Sequence, residues 1–319
     1  MDLTIIIPLL NEEESLPELH SWIIKTVEPL SLTYELLFID DGSTDNSWEC
    51  IRTLCNKHQS TQGIRFTRNF GKSQALHAGF AQAKGNVVIT MDADLQDSPD
   101  EIPVLYKRLL DDKLDILSGW KKKRYDSVLL KNIPSKLFNW AARRSSGIYL
   151  HDFNCGLKAY RSEVVKTVEV YGEMHRYIPV LAAHEGFTRI EEQIVQHQAR
   201  KYGVTKFGLN RFINGFLDLI TLTFLHRFGK RPMHFFGLWG SIMFLIGFSF
   251  AAYLGIDKLY FTPDGRLIAQ RPEFFISLTT MILGGQFFVA GFIGELMVGQ
   301  QKNSSRYCIS EYLTTPNDT

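Results

Sequence analysis

The apolar residues of this chain come in short runs, and the polar residues that close each run carry the chemistry. Leu3–Leu10 is isoleucine-rich and closed by Pro8 and Asn11, which predicts a buried strand of the kind found in parallel sheets. Glu12–Leu30 then shows helical spacing at Leu16, Leu19, Ile23 and Val27, with acidic residues in the opening turn that suit the helix dipole. Tyr34–Ile39 is a second strand, closed by the turn-formers of Asp40–Asp45. Asp45 or Ser43 can cap the helix that runs on from Asn46. Ile64–Thr67 predicts a third strand, followed by a helix through Ala83, and Val87–Met91 a fourth. Beyond it, Pro99–Asp112 reads as a helix, Leu114–Gly119 as a strand and Ile190–Ala199 as a final strand.

Strand and helix in this rhythm build right-handed βαβ units, so the fold class is α/β with a mostly parallel sheet. Ligands in such sheets sit at the carboxyl ends of the strands. Here those ends carry Asn11-Glu12, Asp40-Asp41, Arg68 with Lys72, and Asp92 with Asp94. Four polar strand ends in succession are harder to ascribe to chance than any one. After Val87–Met91, three oxygen-bearing side chains follow at every second position: Asp92, Asp94 and Gln96. Extended chain delivers alternate residues to one side, so the three oxygens can converge. Oxygen-only ligands suit Mg²⁺ or Mn²⁺, and those ions suit a diphosphate. The bland alternative is a solvated acidic turn. Asp40 or Asp41 can accept from a nucleobase or a ribose, and Lys72 can neutralise phosphate charge. Capping and binding weigh evenly across Asp40–Asp45, since one residue can cap while its neighbour binds.

The pattern changes after residue 207. In Gly208–Arg227, Phe212, Phe216, Leu219 and Ile220 lie opposite Arg211, Asn214, Asp218 and Thr221, as in a helix at a membrane interface or one packed on the domain. Phe235–Ile256 and Phe274–Gly294 carry no charge. As helices they reach about 33 and 31 Å, at about 1.5 Å per residue, which matches a hydrocarbon core of about 30 Å. Two such lengths predict a transmembrane hairpin rather than buried core helices. Lys258, Arg266 and Arg271 in the connecting loop rival the flanking basic residues, so charge bias barely sets orientation. Gly284, Gly285 and Gly291 could permit close packing within the chain or between subunits, as a homo-oligomer.

Composition adds exclusions. Lys plus Arg (35) balance Asp plus Glu (34) over 319 residues, so no global field argues for nucleic acid. Cys50, Cys55, Cys155 and Cys308 show no ligand-like spacing, which points to reduced thiols facing the cytosol. No export signal precedes the first strand. Trp120–Tyr125 and the basic residues after it form a candidate site for an acceptor phosphate or an anionic membrane surface, against the plain reading of a solvated face.

The segments I-P-L-L-N-E-E, F-I-D-D-G-S-T-D, R-N-F-G-K-S and M-D-A-D-L-Q-D-S-P resemble, in order, the family 2 glycosyltransferases of GT-A fold. The fuller Asp92–Glu101 run is similar to their polyprenyl-phosphate branch, and the likeness covers roughly residues 2–210. It implies a nucleotide-sugar site at Pro8, Leu10, Asn11, Glu12, Asp40, Asp41, Lys72 and Asp92, with the metal on Asp92, Asp94 and Gln96. Asp152–Arg161 matches a D-x-x-x-G-[FL]-[RK] segment, placing Asp152 near the reaction centre, though capping is its plainer role, and Gly156 where backbone must approach closely. Arg200–Phe207 resembles an R-x-x-G-x-[ST]-K loop, with Thr205 in place of serine. The resemblance assigns the acceptor phosphate to Arg124, Lys136, Arg200 and Lys206, with Asp94, Asp152, Arg124, Arg200 and Lys206 as catalytic.

The implied organisation is a GT-A catalytic domain over 1–207, an amphipathic segment over 208–231, a hairpin over 232–299 and a cytoplasmic tail over 300–319. The implied enzyme is a multi-pass protein of the inner or plasma membrane with its catalytic domain in the cytoplasm. It is an inverting transferase moving a hexose from a nucleotide sugar, UDP- favoured over GDP-, to polyprenyl (undecaprenyl) phosphate. Two rivals stand beside it. One is transfer to a glycan or other hydroxyl, which would need a base such as Asp152. The other is a non-catalytic scaffold binding nucleotide sugar or lipid, which the intact acidic positions disfavour.

Overall fold

The computed structural model describes residues 1–122, 143, 147–170, 172, 174–198, 201, 224, 228 and 231–300, with backbone alone for 298–300. The chain forms two compact units, one built on residues through Ile220 and the other beginning at Thr221.

In the first unit, apolar runs become the strands β1 (Leu3–Leu9), β2 (Tyr34–Asp40), β3 (Thr61–Arg65), β4 (Val87–Thr90), β5 (Ile116–Trp120), β6 (Lys158–Arg161) and β7 (Ile190–Ile194). They join in one sheet of order β3-β2-β1-β4-β6-β5-β7. Every pairing is parallel except the two that β6 makes with β4 and β5. The centre of the sheet is buried on both faces. Leu3, Ile5, Ile7 and Leu9 of β1 join one apolar cluster, while Ile6 between them joins the other. Period-2 alternation under two apolar layers explains why β1 reads as continuously apolar. Helices α1 (Leu16–Val27), α2 (Ser47–Lys57) and α4 (Ile102–Asp111) supply the first layer through Leu19, Ile23, Ile51, Leu105 and Leu109. Helices α3 (Lys72–Gln82), α5 (Ser162–Thr167) and α6 (Ile178–His184) supply the second through Leu76, Phe80, Val164 and Ile178.

Three boundaries depart from the sequence expectation, each for a local reason. Helix α1 opens at Leu16 rather than Glu12, because Glu12 and Glu13 give their backbone N–H groups to Ser47 Oγ and Asp45 Oδ2 across the β2 turn. Strand β3 begins at Thr61, three residues before the apolar signal, since Gly63 lies flat against Ile51 and Trp48. The last strand stops at Ile194, and the chain resumes pairing only as a bridge between Asp97 and His197. Asp45 takes the capping part, accepting from Ser47 N at 3.0 Å, while Ser43 Oγ accepts from Asn11 N.

His20 of α1 is buried with its Nε2 2.9 Å from Thr61 Oγ and its ring centroid 4.7 Å from that of His58. Burial, with His58 adding to it, pushes the imidazole from 6.5 down to about 4. The folded protein therefore keeps His20 neutral where the unfolded chain protonates it. Its stability contribution is whole above pH 6.5 and is lost as pH falls toward 4. Melting temperature should decline through that window, and His20→Leu should flatten the decline. An unaltered slope in the variant would assign the acid sensitivity elsewhere.

The second unit holds α7 (Pro232–Ile256) and α8 (Pro272–Gln300), joined through Asp257–Arg271. Both are long and apolar enough to cross a membrane, and only 17% of either apolar window is buried. Glycine lets their backbones touch: a Cβ on Gly240 would meet Gly284 O at 2.6 Å, and one on Gly247 would meet Ser277 O at 2.7 Å. Gly291 packs likewise on Phe236 and Gly237, whereas nothing stands over Gly285. Arg271 pairs with Asp257 at 2.8 Å and closes the connecting turn. The amphipathic segment and the C-terminal tail expected from sequence lie outside the described residues, but for Phe224, Phe228 and Arg231.

Candidate active site

The parallel strands β1, β2 and β4 end side by side, and their loops are sewn together. Asn11, in the left-handed region at φ 56°, receives Thr44 N on its Oδ1 at 2.8 Å. Glu13 Oε2 accepts from Asn46 N at 2.7 Å. Asp40 is fully buried; its Oδ1 accepts from Ser43 N at 2.8 Å, and Arg65 Nε stands 3.5 Å from its Oδ2. Asp41 accepts from Phe70 N at 2.7 Å and Gly71 N at 2.9 Å, bracing the loop that leads into α3. Its burial outweighs those N–H groups and raises its pKa. The structure thus brings Leu10, Asn11, Glu12, Asp40 and Asp41 to one corner, where Asn11, Asp40 and Asp41 also hold the turns in shape.

The strand β4 ends at Thr90, one residue early, and the following chain bends, with Leu95 at φ 59°. Side-chain alternation nevertheless survives the end of the strand. Met91, Ala93, Leu95 and Asp97 are buried, while Asp92, Asp94 and Gln96 between them remain partly exposed. Four buried anchors keep this pitch, with backbone bonds only at its ends, from Met91 N to Ile6 O at 3.1 Å and from Gln198 N to Gln96 O at 2.9 Å. Asp94 Oδ1 accepts from Gln96 N at 3.2 Å. Asp92 pairs closely with Lys72 at the start of α3. Desolvation works to raise the Asp92 pKa, but the Lys72 and Lys121 ammonium groups prevail and hold it well below the usual carboxylate range.

A small recess opens beside Asp92, lined by Pro8, Lys72, Thr90, Lys158, His175 and Arg176 among others. His175 is held at 3.1 Å by Ser73 Oγ, which also accepts from its backbone N–H. Opposite, the segment before β6 packs its Gly156 on Asp92, where an added Cβ would come within 2.6 Å of Oδ2. Asp152, 2% exposed at the head of that segment, accepts from Asn154 N at 3.0 Å. The segment is fastened from behind by Glu192 of β7, which takes His151 N at 2.7 Å and pairs with its ring, on which Trp120 stacks.

Of the acceptor-side residues, Arg124, Lys136, Arg200 and Lys206 lie outside the described residues. Two inward-turned lysines have parts that the sequence did not assign. Lys121, which reads as the start of a solvated basic run, turns inward to pair with fully buried Asp97 at 2.7 Å. Desolvation opposes its charge, but Asp97 outweighs that and raises the Lys121 pKa. Lys158 fills the basic position that closes the D-x-x-x-G-[FL]-[RK] segment, to which the sequence assigned no role. Besides that motif position, a lysine between apolar neighbours in Leu157–Tyr160 must be either exposed or specifically held.

The chain matches the model of glycosyl transferase family 2 over residues 4–168. This protein is a family 2 glycosyltransferase. The glycosyltransferase is 35% identical over 305 residues to dodecaprenyl-phosphate galacturonate synthase of Rhizobium johnstonii, covering 93% of this chain and 88% of the relative. It is 36% identical over 294 residues to undecaprenyl-phosphate 4-deoxy-4-formamido-L-arabinose transferase of Shewanella sediminis, covering 92% and 86%. Its fold is shared with glucosyl-3-phosphoglycerate synthase of Mycobacterium tuberculosis bound to uridine diphosphate, at TM-score 0.53 and 19% identity over 70% of this chain and 79% of that one. The same synthase has been solved with Mn²⁺, UDP-glucose and phosphoglyceric acid, at TM-score 0.51 and 18% identity over the same shares. The glycosyltransferase is therefore a GT-A-like mixed-sheet domain accompanied by two apolar helices.

The donor chemistry at β4 suits a hard divalent ion. Asp92 is kept ionised, and Asp94 and Gln96 offer oxygen on the same accessible side. Among the described residues no three His, Cys, Asp or Glu side chains gather into a ready cage. Mg²⁺-like ions bound with substrate diphosphate need only one or two carboxylates, so the two facts agree.

Proposed function

We propose that this glycosyltransferase moves a sugar from a nucleotide sugar to a polyprenyl phosphate. The observation that carries the proposal is the extent of the likeness. Matches covering 93% and 92% of the chain to two polyprenyl-phosphate sugar transferases are too long to omit the acidic strand end or the apolar helices. The donor is a nucleoside diphosphate sugar, uridine favoured over guanosine, and a UDP-hexose is the first to offer. Pro8, Leu10, Asn11, Glu12, Asp40 and Asp41 form the corner for its nucleoside, and Lys72 faces its phosphates. Asp92, Asp94 and Gln96 would hold Mg²⁺ or Mn²⁺, which when bound neutralises charge on the departing diphosphate.

A phosphate monoester, with a second pKa near about 6, is largely ionised at neutral pH. Such a nucleophile needs positioning more than a general base. Asp152, which accepts from Asn154 N in the turn that carries Gly156, remains the proposed carboxylate near the reaction centre, where a phosphate acceptor does not require it as a base. One in-line displacement inverts the anomeric centre. Arg124, Lys136, Arg200 and Lys206 remain the proposed acceptor-phosphate contacts. The two apolar helices form the membrane hairpin of the inner or plasma membrane, with the catalytic residues 1–207 and the tail 300–319 on the cytoplasmic side.

Purified protein given a nucleotide-sugar panel, undecaprenyl phosphate and Mn²⁺ or Mg²⁺ should yield a sugar-linked lipid phosphate by mass spectrometry. Labelled sugar appearing only on a glycan or free alcohol would favour the hydroxyl-acceptor reading. Nucleotide binding without product across all donors and lipids would favour the scaffold.

A further inference from the structure

Lys158, the first residue of β6, is 3% exposed. Its ammonium is met by backbone carbonyls: Phe153 O at 3.2 Å and Cys155 O in a closer contact. Among the described residues no carboxylate stands within ion-pair distance of it. Burial pushes its pKa below the ordinary lysine value, with Lys72 adding to that push. A cation held this way is costly to bury, and an apolar side chain of similar length would fit the surrounding layer at less expense in desolvation. The fold alone does not ask for it.

What Lys158 does hold is the turn between Asp152 and Gly156. Both carbonyls it grips belong to the residues just before Gly156. Thr90 Oγ, from the end of β4, donates to Gly156 O at 2.8 Å and ties the far end of the same turn. The bare Cα of Gly156 then lies so near the Asp92 carboxylate that a Cβ would come within 2.6 to 2.8 Å of three of its atoms. Asp92 is therefore fixed from one side by Lys72 and from the other by a turn whose position depends on Lys158. Supports of this kind, one shell behind a ligand, commonly change metal affinity or activity by about 10–100-fold when removed.

We propose that Lys158 is a positioning residue for Asp92, holding the Phe153–Gly156 turn so that the Asp92 carboxylate is presented to the divalent ion and donor diphosphate. The proposal rests on the reading of Asp92 as part of the donor site, and the test separates the two. Mn²⁺ binding to the full-length protein in the presence of UDP is measured by electron paramagnetic resonance, alongside kcat, KM for the donor and melting temperature. Asp92→Asn should weaken Mn²⁺ binding; if it does not, the donor-site reading fails whatever Lys158 does.

Given that result, Lys158→Met should weaken Mn²⁺ binding about tenfold or more and lower kcat, by the usual effect of a second-layer support. Gly156→Ala should do the same with Lys158 intact, and the double variant should fall little below the worse single one, because both act through one contact. Lys158→Gln, which keeps a donor to the carbonyls, should recover part of the loss, and it serves as the readout if the methionine variant does not fold. Normal Mn²⁺ binding in a Lys158 variant, with only a lowered melting temperature, would make Lys158 a purely structural residue and overturn the proposal. Additive losses in the double variant would overturn it too.

Discussion

Asp94→Ala should abolish sugar transfer while leaving the catalytic unit folded. Asp94 lies beyond the end of β4, in the middle of three partly exposed oxygen-bearing side chains, and its apolar neighbours Ala93 and Leu95 do the packing. Truncation therefore removes an oxygen donor without opening the core. Asp94 would act through the ion it helps hold, and losing one group that stabilises charge developing in the transition state typically costs about 10²–10³ in kcat. The check is a turnover assay across Mn²⁺ concentrations, with circular dichroism to confirm the fold. Retention of more than a tenth of wild-type turnover would remove Asp94 from the ion's ligands. Asp94→Asn, which keeps one neutral oxygen, should fall between.

The largest stability effect is expected at Lys121. Its partner Asp97 has a fully buried side chain, and Lys121 itself is only 13% exposed. Removing one member of a buried ion pair leaves the other charge without compensation, at about 3–5 kcal/mol. At about 2–4 °C per kcal/mol for a unit of this size, Lys121→Met should lower the melting temperature by roughly 6–20 °C. Adding Asp97→Leu to that variant should restore much of the loss, since the orphaned charge then disappears. Such recovery would identify the pair as a matter of mutual compensation, whereas a double variant no better than the single would mean that Lys121 packs rather than neutralises.

Strands β1, β2 and β4 were legible because they are buried on both faces and so read as nearly unbroken apolar runs. The acidic strand end was legible for a related reason. Met91, Ala93 and Leu95 had to be buried, so Asp92, Asp94 and Gln96 had to take the other side even after the strand itself ended. Strand β6 was not legible. It is four residues long, and half of them are Lys158 and Arg161, a composition that argues against a central strand. Its place comes from neighbours distant in sequence, β4 and β5, which pair with it backbone to backbone. Lys121 misled for the opposite reason: in a run of basic residues nothing local distinguishes the one that turns inward to Asp97. The edge strand β3 hid its start because Thr61, Gln62 and Gly63 carry no apolar side chain, and their register is set by Leu36, Leu37 and Phe38 of β2.

The reversal of β6 governs where variation can enter this enzyme. Because β5 runs with β4 and β6 runs against both, the chain departs from β5 at Trp120 and rejoins the sheet at Lys158 on the same rim. Both ends of the intervening stretch thus lie on the rim beside Asp92, and its exchange between relatives would re-thread no strand. The proposed nucleoside corner, rooted in the loops after β1 and β2, would be inherited untouched. The proposed acceptor contacts Arg124 and Lys136 fall within that stretch, so exchanging it should alter the acceptor side while the proposed nucleoside corner is kept.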